Sequence, residues 1–341
     1  MLLLSTLLSL LFGGCKLFTT DQASPTTLVA VTPQPFVTIT PQPTRDFLQV
    51  VDFVPVTATP PPYYRYANEL GQVVILEYHK FGYPERRYQR TPENFRADLA
   101  RLHQAGYYPV NFIDLIRGLP DVPPGKKPVV LTFDDSDISQ FKLLADGSLD
   151  PDSAVGVLVE FSAQHAPDWP LRATFFVLGN DYANYKAIFG QPDLAKTKLQ
   201  FLVESGMEIG SHTVTHRNLG TATADEIHQE LALSKQILES LVTDYRVQTM
   251  AVPFGGFPFT LDFLKAGEWQ GVEYTYYGNA AAWGGPAASP FDLAFEPYRV
   301  PRIEVTETSF NRWLAIFENN PEKYYTSDGD PARLTIPESG P

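Results

Sequence analysis

Short apolar runs of strand length recur along this chain, and they are solid rather than alternating. Val73-Val74-Ile75-Leu76, Pro128 to Phe133, Ala173 to Val177, Met207 to Ile209, Val247 to Val252, Tyr274 to Tyr277 and Arg299 to Val305 are the clearest. A strand with one solvated face shows a period of two, whereas a strand covered on both faces reads as a continuous run. Helical patterns fall between them. Thr91 suits an N-cap with Pro92 at the first helical position, Phe95, Leu99 and Leu102 share one face, and Gly106 closes the helix. Leu199, Leu202 and Val203 mark a second helix, closed by Gly206. Thr223-Ala224-Asp225-Glu226 has the form of a capping box, followed by Ile227, Leu231, Ser234, Ile237 or Leu238, and Leu241 at helical spacing; a last helix is predicted from about Phe310 to Phe317. This alternation predicts an α/β fold with a mainly parallel sheet and helices outside, whose chemistry sits just beyond the strand ends.

The organisation before that region is different. Thr32-Pro33-Gln34-Pro35, Thr40-Pro41-Gln42-Pro43 and Thr59-Pro60-Pro61-Pro62 carry many of the chain's 30 prolines. Proline lacks an amide donor and favours extended backbone, so residues 15–65 are expected to form a semi-rigid tether. Residues 1–14 end in Phe12-Gly13-Gly14 ahead of Cys15, the only cysteine, which excludes an internal disulfide. This resembles a bacterial lipoprotein signal, implying export and a lipid anchor at Cys15; an ordinary signal or uncleaved anchor is the alternative. One catalytic domain is expected over 66–320 and a loose tail over 321–341. A net charge of −13 argues against a nucleic-acid partner and favours a neutral or cationic one. The sequence gives no sign of oligomeric state.

Two segments concentrate the chemistry. Thr132-Phe133-Asp134-Asp135 and Ser211-His212-Thr213-Val214-Thr215-His216 supply adjacent carboxylates and two imidazoles four residues apart. Taken singly, the acids also suit a solvated loop or a helix N-cap, and the histidines also suit core or surface positions. Together they are more specific, because the chain has only 6 histidines. One carboxylate and two imidazoles make an O/N site for a divalent ion with open positions, and the second carboxylate is left to take a proton from bound water. His103, His165 and His228 read as surface or helix-face residues.

Thr132 to Asp135, Ala173 to Val177, Gly206 to His216 and Pro253-Phe254-Gly255 resemble, in order and spacing, the successive motifs of the NodB-type polysaccharide deacetylases, carbohydrate esterase family 4. The resemblance spans roughly Val73 to Val305 and implies a distorted, incomplete (β/α) barrel. It implies a metal site of Asp135, His212 and His216, with Asp134 as catalytic base. It also implies an oxyanion contact from the Phe254 N–H between Pro253 and Gly255. Zinc suits the donor set, with cobalt, nickel or iron as alternatives. No histidine follows His228, so the C-terminal histidine that many members use as general acid has no counterpart. Leu76-Glu77-Tyr78-His79 resembles the poly-N-acetylglucosamine deacetylase branch, which implies His79 as general acid. Trp283 is a candidate for packing on the acetyl methyl. Three departures stand out. Ala251-Val252 occupies the place of an arginine that orients the base in many members. Ser136 stands where glycine usually follows the paired aspartates. The stretch from Ser136 to Arg172, with a helix expected over Ala154 to Gln164, is long enough for a lid or rim. The implied activity is removal of N-acetyl groups from an N-acetylglucosamine-containing glycan. An O-acetyl esterase, or a glycan-binding protein on a decayed deacetylase scaffold, are the alternatives.

Overall fold

A computed structural model describes residues 67–179 and 188–337. The signal, Cys15 and the whole of the tether lie outside the described residues. In chain order the elements are β1 (Val74–Tyr78), β2 (Lys80–Phe81), β3 (Gln89–Arg90), α1 (Pro92–Gln104), β4 (Tyr107–Val110), α2 (Phe112–Ile116), β5 (Lys127–Asp134), α3 (Ala154–His165), β6 (Thr174–Val177), α4 (Ala195–Glu204), β7 (Glu208–Ser211), α5 (Ala224–Leu241), β8 (Thr249–Ala251), β9 (Ala266–Trp269), β10 (Val272–Thr275), β11 (Gly278–Ala280), β12 (Ile303–Glu304) and α6 (Glu307–Asn319).

The main sheet runs β11-β8-β7-β6-β5-β1-β12, with β4 also paired to β5, and its pairings are parallel. Its two edges are joined by one short segment. Ile303 is in register with Leu76 of β1, while Val300 bridges to Ala280 of β11. The result is the distorted (β/α) barrel expected from the sequence.

Each solid strand serves two cores. On β1, Val74, Leu76 and Tyr78 join Phe95, Leu99 and Leu102 of α1 in the layer between sheet and helices, as do Leu131, Phe133, Phe175 and Ile209. Val73, Ile75, Val130, Phe176, Ala251, Ala280 and Val300 form a second cluster, which fills the barrel. α2 supplies Phe112 and Leu115 to that inner cluster. It closes the barrel floor by donating the Phe112 N–H to Thr174 Oγ1 (2.8 Å) and the Ile113 N–H to Glu208 Oε2 (2.9 Å). Burial raises the Glu208 carboxyl to about 6 despite its hydrogen bonds.

The caps follow the sequence. Thr91 caps α1, with Pro92 opening it, and Thr223 and Glu226 form the capping box of α5. Several expectations need correction. Tyr274 to Tyr277 is not a barrel strand. β9 and β10 form an antiparallel hairpin turned by Gln270-Gly271, both at positive φ, with the Tyr276 hydroxyl donating to the Leu231 carbonyl of α5. The barrel strand is the weakly apolar Gly278–Ala280 beside it. Arg299 to Val305 is extended, but only Ile303–Glu304 pairs as strand. α3 packs on α1 with Val155, Leu158 and Phe161 buried, so this part of the Ser136–Arg172 stretch belongs to the helical layer rather than to a lid. The described part of the expected tail is not loose either. Tyr324 and Tyr325 are buried, Thr326 pairs with Asn68, and Thr335 exchanges hydrogen bonds with Glu69. Among the described residues no helix is long and apolar enough to cross a membrane.

Candidate active site

Strand alternation places Glu77, Thr132, Asp134 and Arg302 in the uppermost layer of the barrel interior, above Ile75, Val130 and Phe176. The Arg302 side chain is fully buried and spans this layer. Its Nη1 and Nη2 donate to Asp134 Oδ1 (2.8 Å) and Oδ2 (2.7 Å), Nη1 also to Thr132 Oγ1 (3.0 Å), and Nε to the Ala281 carbonyl (2.6 Å). Burial would push the Asp134 carboxyl up. The guanidinium, aided by His212, outweighs that and holds it below the ordinary carboxylate value. The arginine absent at Ala251 therefore has a counterpart from the last strand segment. Sequence reading missed it because Arg302 is 168 residues from Asp134 and belongs to no local motif.

Asp135 follows the strand end at φ 79°, which turns its carboxylate away from Asp134 and toward the histidines. Its Oδ1 lies 3.3 Å from His216 Nε2 and 3.6 Å from His212 Nε2. Two donors on a tetrahedral zinc centre, each about 2.0–2.1 Å from it, stand roughly 3.3–3.4 Å apart. The three donor atoms thus converge as an ion would require, and the donor set fits one. His212 directs its other ring nitrogen, Nδ1, to the Ala251 carbonyl at 2.9 Å, leaving Nε2 for the site. Burial disfavours the His212 imidazolium, but Asp134 and Asp135 outweigh it and raise its pKa.

The segment from His212 to His216 is not a helical turn. Thr213 and His216 both take positive φ, and the loop folds back to bring the rings to 4.8 Å. Glu230 of α5 holds it there, accepting from the Val214 and Thr215 amides (both 2.8 Å) and from Thr215 Oγ1 (2.6 Å). Nothing in the sequence marked Glu230 beyond its place in an amphipathic helix. Ser136 also lies at positive φ (47°), which explains why glycine suits that position. Its hydroxyl accepts from the Leu178 amide. Left-handed residues therefore cluster at the site: Asp135, Ser136, Thr213, His216 and Phe254.

A cavity of about 480 Å³ opens over these groups. His79, just past β1, lines one wall beside Tyr88, ring centroids 4.7 Å apart. Burial pulls its pKa below the ordinary imidazole value, with Asp134 and Asp135 opposing. Phe254 and Trp283, 56% and 59% exposed, form the apolar wall, and the Phe254 ring meets His216 edge-on at 4.4 Å. Trp283 is therefore a cleft residue rather than a core one, and its ring lies where a Cβ on Gly255 would meet it at 3.0 Å. Pro253-Phe254-Gly255 is a 3-10 turn whose bonds are donated by Gly255 and Gly256 to the Val252 and Pro253 carbonyls. Those bonds leave the Phe254 N–H outside them. His79, Asp134, Asp135, His212, His216, Phe254 and Trp283 thus line one cleft, while Pro253 and Gly255 flank Phe254 in its turn without lining the cavity. His103, His165 and His228 lie elsewhere, His228 against the Tyr274 hydroxyl. Trp169 is buried in the outer core and Tyr277 is at the opposite end of the barrel.

Residues 121–274 match the family model described as polysaccharide deacetylase, a stretch that includes Asp134, Asp135, His212, His216 and Phe254. Over this stretch the chain is similar to the polysaccharide deacetylases. It is 25% identical over 205 residues to a putative polysaccharide deacetylase, YxkH, of Bacillus subtilis, covering 60% of this chain and 63% of that protein. It is 28% identical over 163 residues to a chitooligosaccharide deacetylase of a Bradyrhizobium strain, covering 48% and 61%. The chain thus spans about three-fifths of the length of these relatives. Among solved structures, the Streptococcus pyogenes deacetylase PplD in complex with acetate shares the fold, with a TM-score of 0.54 and 22% identity over 72% of this chain and 97% of that one. His79, Trp283 and Arg302 lie outside the matched stretch.

Proposed function

We propose that the protein is a metal-dependent hydrolase that removes N-acetyl groups from an N-acetylglucosamine-containing polysaccharide of the envelope or an exopolysaccharide. The observation that carries this reading is a buried carboxylate, Asp134, kept ionised by Arg302 beside the convergent Asp135, His212 and His216. The chitooligosaccharide deacetylase among its relatives supports the glycan class. A divalent ion held by Asp135, His212 and His216, zinc by the donor set, would polarise the acetyl carbonyl and supply hydroxide near neutral pH. Asp134 takes the proton of the attacking water. The Phe254 N–H faces the oxygen that becomes negative, and Trp283 with Phe254 covers the acetyl methyl. His79 gives a proton to the departing amine, so that acetate and a free amino sugar leave. The Leu76-Glu77-Tyr78-His79 strand end favours the poly-N-acetylglucosamine branch. Export and a lipid anchor at Cys15 complete the proposal, with the Thr/Pro-rich segment as tether.

The test is acetate release from N-acetylglucosamine oligomers by protein starting near Tyr63, in chelator and after return of zinc, cobalt, nickel or iron. Metal-dependent release that Asp134→Asn abolishes is expected. Release from an acetyl ester alone would make the protein an esterase. Binding of oligomer and metal without turnover would make it a binding protein.

A further inference from the structure

Glu77 is a buried carboxyl for which the reaction above has no use. It sits on β1 two residues before His79, on the barrel-interior side, in register with Thr132. Its Oε1 lies 3.6 Å from His79 Nε2 and 3.6 Å from Arg302 Nη2, and its buried Oε2 has no hydrogen-bond partner. Arg302 Nη2 donates to Asp134 at 2.7 Å, so one guanidinium separates the two carboxyls, and Glu77 in turn lies between guanidinium and imidazole.

Two readings compete. Glu77, His79 and Asp134 offer ligand-type atoms within 4.8 Å of one another, the spacing of a second metal site. Both Asp134 oxygens, however, already accept from Arg302, so a cation there would face a guanidinium at hydrogen-bonding distance. An acid pair suits the same geometry better. We infer that Glu77 is the positioning residue for His79: carboxyl and imidazole, 3.6 Å apart, carry one proton as a pair, and the Arg302 charge faces the carboxyl from its other side. This rests on the reading of His79 as the general acid. The other groups facing His79 are Asp134 and Asp135 at the end of β5, His212 after β7, and Tyr88 before β3. Lys80, Arg86 and Arg87 share the cavity wall. Burial opposes ionisation of both Glu77 and His79. A shared proton satisfies both, and the pair then titrates as a unit.

The test compares Glu77→Gln and Glu77→Asp with the parent. In Glu77→Gln, kcat for amide cleavage should fall by about tenfold or more with KM little changed, and the alkaline limb of kcat should move to lower pH. Glu77→Asp should recover part of both. Cleavage of 4-nitrophenyl acetate, whose leaving group needs no proton, should fall much less. Equal losses on amide and ester with an unmoved limb would reduce Glu77 to a structural role and overturn the inference. A second measurement is independent of turnover: NMR titration of the His79 ring in chelated protein. Its midpoint should drop by about one pH unit in Glu77→Gln. An unchanged midpoint would overturn the inference even if the parent proved inactive, whereas inactivity of the parent alone would count against the proposed function.

Discussion

Replacing Arg302 by methionine should expose how this site keeps Asp134, the proposed base, charged. The parent guanidinium makes two hydrogen bonds to Asp134, one to Thr132 and one to the Ala281 carbonyl, and lies 3.6 Å from Glu77. Methionine fills much of the volume but leaves two buried carboxyls with no cation between them. Removing one partner of a buried pair costs about 3–5 kcal/mol, mostly because a charge is stranded. That cost depends on pH, and its sign follows from the two folded-state shifts. In the parent the Asp134 carboxyl is held below its ordinary value of 3.8. Its contribution is present above that value and lost as pH falls through the lower folded one. In the variant, burial without the guanidinium raises the same carboxyl. The variant is then most stable below 3.8 and weakens as pH rises. The difference between the proteins should therefore approach about 4 kcal/mol at pH 7 and shrink to about 1–2 kcal/mol near pH 4, where lost packing and hydrogen bonds remain. Urea unfolding at both pH values, in chelator so that metal binding adds nothing, measures it. A difference below about 1 kcal/mol at pH 7, or one equal at both pH values, would refute the reasoning. With zinc restored, kcat/KM should fall by about a hundredfold or more, since the base is no longer held in place.

Three further outcomes follow from the same geometry. Glu230→Gln removes a charged acceptor from two loop amides and one hydroxyl, so metal affinity should drop by about 10–100-fold in competition with a chromophoric chelator; an unchanged affinity would show that the loop holds its own shape. Gly210→Ala places a Cβ 2.5 Å from the Phe176 ring inside the barrel, and thermal unfolding should report a loss of about 1–3 kcal/mol. Zinc at a hundred times its Kd should raise the unfolding free energy of the parent by about 2.7 kcal/mol. Asp135→Asn should lose most of that gain; retention of it would move the ion elsewhere.

Much of the fold was legible because buried parallel strands announce themselves. β1, β5 and β6 are solid apolar runs, and Thr91 and Thr223 cap their helices as their sequences dictate. Misreadings arose where a strand owes its place to its neighbours. Gly278–Ala280 carries no apolar run, yet it joins the barrel because small residues suffice beside β8, while the more strand-like Tyr274 packs in a hairpin on α5. The tail was misjudged for a similar reason. It was expected to be loose, but Tyr324, Tyr325 and Thr335 find partners at Gln72 and Glu69, more than 250 residues earlier.

The site divides along the same line. Asp134, Asp135, His212, His216 and the Pro253 turn sit at strand ends in compact local patterns, so their types and spacing carried the reading. The residues that hold them do not. Arg302, Glu230 and Glu77 act across the barrel, and an arginine on an irregular strand or a glutamate in an amphipathic helix has no local mark. Ala251 shows why the apparent loss of an arginine was misleading. Both oxygens of Asp134 already accept from Arg302, so this carboxylate has its guanidinium partner without an arginine at position 251. The backbone of Ala251 is in use all the same, since its carbonyl fixes the His212 ring. What the site needs is one guanidinium in the upper layer of the barrel interior. Here the last strand segment supplies it, from 168 residues beyond Asp134 in the sequence.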